Sequence, residues 1–411
     1  MGKILMSLPY VPYPSRIARL SAGGPALRVR AVDVHRLNPD SIAAWQDLEL
    51  RSLEPNVFLS PHFVLPALRH LDPNLNAIAL LVESVASSAN PSPSRLVGLI
   101  VGHVAVGSRT LPVPYFAAYK SRHSFLTGML LDREHAQDAL VAVLDFVQAQ
   151  SPWWHGMQWD AIWDDGATFD LLVSVCERMG LVHHRWGAMN RAVLFPQWDR
   201  ERIQAAVASG MHNQRRRIRK LGQLGEVQWS LVGCGQGHGD AIDIFLDLEH
   251  QGWKREQGSS LRSTANGEAF FRCLATGLGT QERALFSQLS LGGRVIASTA
   301  NFLSGRGAFA FKIGWLQELR SLSPGIQDEL RLLSVLLSDR RLADIDFWDS
   351  GAGEGSYIEK LWPSRRPLTS FAVGTSWLGK RTLVGVRGMR LARRVWRAFL
   401  TVGTRVGVWA T

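Results

Sequence analysis

The sequence predicts an α/β (α+β) protein made of two similar units in tandem. Each is a mixed, mainly antiparallel central sheet flanked by helices, and a basic helical tail follows them. Three observations carry that expectation. A chain of 411 residues exceeds a typical single core and suits two domains. Its 46% hydrophobic and 20% charged residues, with 15 tryptophans, belong to a folded globular chain. One order of strand-patterned and helix-patterned segments also occurs twice, on either side of a boundary near residues 197–210. The units run over 28–197 and 198–375, and the tail over 376–411.

The first unit opens with the strand-like "ALRVRAVDVH". A helix follows the Asn38-Pro39-Asp40 start, "SIAAWQDLELRSL", and another follows Ser60-Pro61, "HFVLPALRHL". "AIALLVES" and "RLVGLIVGHVAV" read as strands around the Pro/Ser/Asn-rich loop "ASSANPSPS", and "LPVPYFAAY" as a proline-marked edge strand. The helix "EHAQDALVAVLDFVQAQ", the strand "HGMQWDAIW", the helix "ATFDLLVSVCERMG" and the strand "HHRWGAMNRAVLF" close the unit. The second unit repeats this order: strand "EVQWSLVG", helix "DAIDIFLDLEHQGWKREQ", helix "GEAFFRCLATGLG", and a three-strand meander over 283–315 with turns at Gly292-Gly293 and Gly305-Arg306-Gly307. A helix after Ser323-Pro324, the strand "ADIDFW", the helical "GSYIEKLW" and the strand "PLTSFAVG" complete it.

Lysine plus arginine outnumber aspartate plus glutamate by 46 to 35, a formal +11 that attracts anions of every kind, from nucleic acid and anionic lipid to phosphorylated co-substrates. Two clusters hold much of the excess: "RRRIRK" at 215–220, and the tail. Cys176, Cys234 and Cys273 form no CxxC pair and read as buried thiols in a reducing compartment. Prolines interrupt the N-terminus before a signal segment forms, and no apolar run reaches the roughly 20 residues of a membrane span. The expectation is a cytoplasmic protein with peripheral membrane contact through its tail.

Three stretches carry chemistry. In "RSLSPG", Ser323 is suited to cap a helix, Pro324 to its first turn, and Gly325 to close approach of a ligand to the backbone. With Arg320 beside them they form an anion-binding helix start, or else an ordinary capped one. In "HQGWKREQGSS", Trp253 and Lys254 end a helix where an aromatic face and an ammonium suit a binding cleft; core packing is the plainer reading. In "DIDFWDSGAGEGSYIEKLW", Asp349 and Glu354 are the candidate general bases in a glycine-rich loop at a strand end, and Tyr357 and Lys360 share a helical face. A solvated acidic loop is the alternative. The basic run at 215–220 either grips phosphates or is a solvated helix. In the tail, Leu391, Val395, Trp396, Phe399 and Leu400 lie opposite Arg390, Arg393, Arg394 and Arg397, which suits a membrane surface or the protein's own acidic face. The glycines of "SLVGCGQGHGD" miss a dinucleotide fingerprint at His238, and His183-His184 point to opposite faces of a strand, so neither suggests a cofactor or a metal.

The blocks "FLSPHF", "HSFLTGMLLD", "RRRIRKLGQLGEV", "GWKREQGSS", "FKIGWLQELRSLSPG" and "SYIEKLW", in this order over about residues 30–375, resemble the CelD/BcsL-type acetyltransferases of cellulose biosynthesis. These are GNAT-superfamily proteins related to the FemAB-like tandem GNAT enzymes. The Arg320–Gly325 stretch also resembles the GNAT pattern Q/R-x-x-G-x-G/A. The resemblance implies a tandem GNAT fold and transfer from acetyl-CoA or another acyl-CoA, without a metal, to a hydroxyl or amine of a polysaccharide or small-molecule acceptor. It implies that Arg320, Ser323, Pro324 and Gly325 hold the pyrophosphate, and that Trp253, Lys254, Lys312, Tyr357 and Lys360 line the acceptor or phosphate side. Two other functions stay open: a FemAB-like transferase using aminoacyl-tRNA, and a non-catalytic GNAT module at a membrane surface.

Overall fold

The computed structural model describes residues 16–18, 26–85, 94–233, 239–339 and 342–389. The expected features at Cys234, His238 and Arg390–Thr411 lie outside these residues. The first half runs β1 (Arg16–Ala18), β2 (Ala26–Asp33), α1 (Pro39–Leu50), α2 (Pro61–His70), β3 (Ile78–Val85), β4 (Leu96–Ala105), β5 (Tyr115–Ala118), β6 (Leu130–Leu131), α3 (Ala136–Ala149), β7 (Gly156–Trp163), α4 (Ala167–Arg178) and β8 (Val182–Leu194). The long helix α5 (Arg200–Leu224) leads to β9 (Val227–Gly233), α6 (Gly239–Glu249), α7 (Trp253–Glu256), α8 (Ala265–Gly279), β10 (Ala284–Leu291), β11 (Arg294–Ser304), β12 (Gly307–Trp315), α9 (Pro324–Leu336), β13 (Phe347–Asp349) and β14 (Ser364–Gly374). A last helix spans residues 377–389.

Local chemistry sets many of these boundaries. Asn38 accepts the Ser41 amide at 2.8 Å and Pro39 opens α1. Ser60 accepts the His62 amide before Pro61 of α2, and Thr264 accepts the Gly267 amide at the start of α8. The expected helix over 240–257 is instead broken into α6 and α7, because Gly252 takes φ +60° between them. Residues 355–362, expected as a helix, supply one 3-10 turn, Tyr357–Lys360.

All described strands join one 14-stranded sheet in the order β1-β2-β3-β4-β5-β7-β14-β8-β13-β12-β11-β10-β9, with β6 beside β4. Neighbours are antiparallel except β5 with β7 and β12 with β13. The expected edge strand around Tyr115 is interior: Pro112 and Pro114 precede β5, which is then free to pair with both β4 and β7. The two halves are interlaced, since β14 lies between β7 and β8 and β8 in turn pairs with β13.

Apolar packing follows the same plan. One core covers α1 and α2 together with α6 and α8, so Phe58 and Phe63 of the first half meet Phe270, Phe309 and Phe311 of the second. A second core lies around α3 and α4, and a third under α9. Cys176 is buried, which pushes its thiol up to about 12, whereas Cys273, expected to be buried, is exposed on α8.

Candidate functional site

The site is built at the C-terminal end of β12. Strands β12 and β13 pair in parallel over three positions, Gly307 to Phe309 with Phe347 to Asp349, and then part. Residues 310–315 run on as an edge. A register shift against β11 sets Ala300 opposite Lys312 and Asn301 opposite Ala310, so Phe311 is the extra residue of a bulge. The bulge turns two successive side chains to one face. Phe311 packs on Phe271, and the Lys312 ammonium lies 3.4 Å from Glu249 of α6.

Glu249 is fully buried and is the hub of this side. Its carboxylate receives the Leu261 amide at 2.8 Å, Lys312, and Lys254 of α7 at 3.7 Å; Lys254 also donates to the Ile313 carbonyl. Burial pushes the Lys254 ammonium down to about 8, with Lys312 adding to the effect and Glu249 opposing it. The small pocket here is lined by Leu248, Glu249, Gln251, Lys254, Ile313 and Gly314, with Trp315 and Gln317 closing it. Beside it, His123 stacks on Phe270 with ring centroids 5.6 Å apart. Burial, then Lys312 and Arg122, push its imidazole down to about 3, so it is neutral at pH 7.

Across β12 lies the start of α9. Ser323 is left-handed, φ +54° and ψ +53°, and its carbonyl accepts the amides of Ile326 and Gln327 at 3.1 and 3.2 Å. Its hydroxyl makes no capping bond, contrary to the expected cap. The left-handed turn occupies the position where the Q/R-x-x-G-x-G/A pattern has its first glycine, a residue that reaches that conformation without steric cost. Pro324 opens the helix. Gly325 is buried, and a Cβ there would stand 3.1 Å from Ile313 and 3.4 Å from Trp315. Its missing side chain therefore lets the helix close on β12. Arg320 is exposed on the preceding 3-10 turn, Gln317–Leu322. Arg217, from the basic run of α5, donates to the Ser321 carbonyl in that turn at 3.2 Å. Arg217 of the basic run and Arg320 thus meet at the N-terminus of α9.

The remaining expected residues are more dispersed. Asp349 is fully buried, accepts the Gly351 amide at 2.9 Å and pairs with Arg191 at 3.2 Å. Burial raises its pKa while Arg191 opposes the rise. Glu354 is exposed and accepts the Asn190 amide at 2.6 Å. Tyr357 and Lys360 begin and end one 3-10 turn whose Ile358 is buried; both are exposed as residues, while the phenol end of Tyr357 is desolvated. Burial of the phenol, followed by the Glu329 and Asp328 carboxyls of α9, raises the Tyr357 pKa. Trp253 begins α7; its side chain lies outside the described residues. The structure therefore joins Lys254 with Lys312, and Arg320 with Ser323, Pro324 and Gly325, on the two sides of one strand end. Sequence reasoning had not singled out Glu249, His123, Arg191 or the docking of Arg217. Among the described residues no cluster of three or more His, Cys, Asp or Glu side chains suits a metal ion.

Residues 208–354 match the family described as acetyltransferase (GNAT) domain. That segment holds the described contacts of both sides of the β12 end apart from those of His123. Several solved structures are similar to the chain over most of its length. FemX is 9% identical, with 80% of this chain and 95% of that one covered at a TM-score of 0.51. A conserved protein of unknown function from Bacteroides thetaiotaomicron is 10% identical, with 82% and 97% covered at 0.49. A tandem GNAT protein from the clavulanic acid biosynthesis pathway is 14% identical, with 84% and 98% covered at 0.40. No curated protein matches the chain. The fold is a mixed α/β one, a large mainly antiparallel sheet flanked by helices, with a GNAT-type domain matched over residues 208–354. No described helix is long and apolar enough to cross a membrane.

Proposed function

We propose that the chain is an acyltransferase that takes its acyl group from a coenzyme A thioester, with residues 198–375 as the donor-binding half. The observation that carries this reading is the opening between β12 and β13 beside a helix N-terminus flanked by two arginines. The Gly325 amide and the helix dipole at the start of α9, with Arg217 and Arg320 beside them, suit a pyrophosphate. The unpartnered edge of β12, next to its bulge, suits an extended chain running toward the sheet. Lys254 and Lys312 face the acceptor side. There a hydroxyl or amine attacks the thioester carbonyl, its C–O or C–N bond forms, and the C–S bond breaks. The acceptor's proton leaves to a base, and the thiolate departs with coenzyme A. Of the two carboxylates considered for that proton, Glu354 is in contact with solvent, while Asp349 holds Arg191. The resemblance to CelD/BcsL-type proteins supports a polysaccharide or cell-envelope precursor as acceptor.

Calorimetric titration with acetyl-CoA tests the donor. Saturable binding that weakens about tenfold or more in Arg217→Ala/Arg320→Ala is expected, since each charge-assisted contact to phosphate contributes roughly 1.5–3 kcal/mol. Absence of heat from the parent chain sinks the reading. A second reading, an aminoacyl-tRNA-dependent transferase, is favoured by the exposed Arg215, Arg216, Arg219 and Lys220 on α5. Tight, salt-sensitive tRNA binding without acetyl-CoA binding would select it.

A further inference from the structure

The helix at residues 377–389 lies on the sheet face of β5, β14 and β8. Leu383 and Val386 are fully or nearly fully buried on its underside, Leu383 among Leu111, Tyr115 and Ala372. Its start is pinned to the 151–155 turn: the Thr375 amide donates to the His155 carbonyl at 3.0 Å, and Ser376 Oγ meets His155 Nδ1 at 2.8 Å. One flank is tied down by Lys380, which donates to the Gly180 carbonyl at 3.0 Å, and by Arg387, which donates to the His183 carbonyl at 3.4 Å.

At 3.6 residues per turn, with Gly379, Leu383 and Val386 inward, the opposite ridge is Trp377, Arg381, Val384 and Gly388. Trp377 is 69% exposed, Val384 56% and Met389 59%. The 151–155 turn adds Trp153, 60% exposed, at the same end of the helix. The Arg381 guanidinium stands 4.9 Å from the Trp377 ring centroid, an arrangement that keeps an indole and a cation on one exposed surface. From Trp377 to the end the sequence carries eight lysines and arginines and neither aspartate nor glutamate. The nearby acid is Glu177 of α4, which acts on His183 beneath Arg387.

We propose that this helix docks on an anionic lipid bilayer, with Trp377, Val384 and Trp153 in the headgroup layer and Arg381 toward lipid phosphates. Two features select that partner over a second copy of the chain. The apolar residues of the ridge are interrupted by Arg381 and by Gly385 and Gly388, so they make no continuous stripe for helix pairing. The positive charge of the whole segment complements an anionic surface and opposes a like-charged copy. The inference is independent of the acyl donor.

Co-sedimentation of the full chain with vesicles of phosphatidylcholine, with and without phosphatidylglycerol, tests it. Binding is expected only with phosphatidylglycerol, to weaken at high salt, and to fall about tenfold or more in Trp377→Ala/Val384→Glu with an unchanged melting temperature. Trp198→Ala, which removes an indole 88% exposed elsewhere, serves as the control and is expected to bind like the parent. The proposal is overturned by no binding to phosphatidylglycerol vesicles, by equal binding to phosphatidylcholine, or by equal losses in the two variants. It is overturned as well if the helix-face variant loses concentration-dependent self-association instead of vesicle binding, which would assign the surface to a second copy. If the double variant melts lower, Arg381→Glu replaces it, with the same loss required.

Discussion

Ser323 holds a left-handed backbone that costs an L-residue roughly 1 kcal/mol relative to glycine. Glycine would relieve that cost but add unfolded-state entropy of similar size. Ser323→Gly is therefore expected to change stability by less than about 1 kcal/mol, and Ser323→Val to destabilise by about 1–2 kcal/mol, because a β-branched side chain fits this region poorly. Denaturant midpoints check both; a tolerated valine would show that the turn readily takes another form. On the next turn of α9, Asp328 and Glu329 are both buried. Asp328 accepts Ser287, Thr299 and Trp229, and Glu329 accepts the Trp362 indole at 3.1 Å. Burial, with Asp328 beside it, pushes Glu329 up to about 8. A carboxyl whose pKa rises on folding contributes stability that is full below its unfolded value near 4.5 and is lost as pH climbs through about 8. Glu329→Gln keeps an acceptor for Trp362 and cannot ionise. Its advantage in melting temperature over the parent should be larger at pH 9 than at pH 5, and an equal difference at both would refute the assignment.

Helix α1 and the residue just before β10 tie the halves together through one buried pair. Glu49 is fully buried and receives Arg283 and the Ser304 hydroxyl, the latter at 2.9 Å. Glu49→Ala leaves Arg283 without its carboxylate partner in the interface and should cost about 3–5 kcal/mol. Glu49→Leu/Arg283→Met should recover part of that loss, as a double-mutant denaturation cycle would show. The sequence revealed the order of elements because the needed signals are local: Asn38-Pro39, Ser60-Pro61, and glycine turns at 292–293 and 305–307. The partnerships were not local. Lys254 and Lys312 stood out as cations, but the buried acid between them is 63 residues from Lys312. Asp349 read as part of an acidic loop because Arg191, which buries it, is 158 residues away. The basic run of α5 was visible, while its docking on the turn before α9 depends on a contact across 104 residues.

Across the whole molecule the unit boundary near residue 197 does not separate two sheets. Strand β14 supplies the middle neighbour of both β7 and β8, from Leu368 paired with Trp163 and Met189 to Gly374 paired with Gly156 and Val182. Residues 26–197 expressed alone should therefore show no cooperative thermal transition, and the full chain should melt in one. A sharp transition from the fragment would mean that β7 and β8 close on each other directly. The same strand imposes a schedule on synthesis. After β8 leaves the ribosome, 169 more residues must be translated before β14 begins. At about 5–20 residues per second that is a wait of roughly ten to thirty seconds with two strand edges unpaired. The newborn chain thus spends its most aggregation-prone interval on a half that only β14 can finish, and slow translation or an early stop codon would be felt first at β7 and β8.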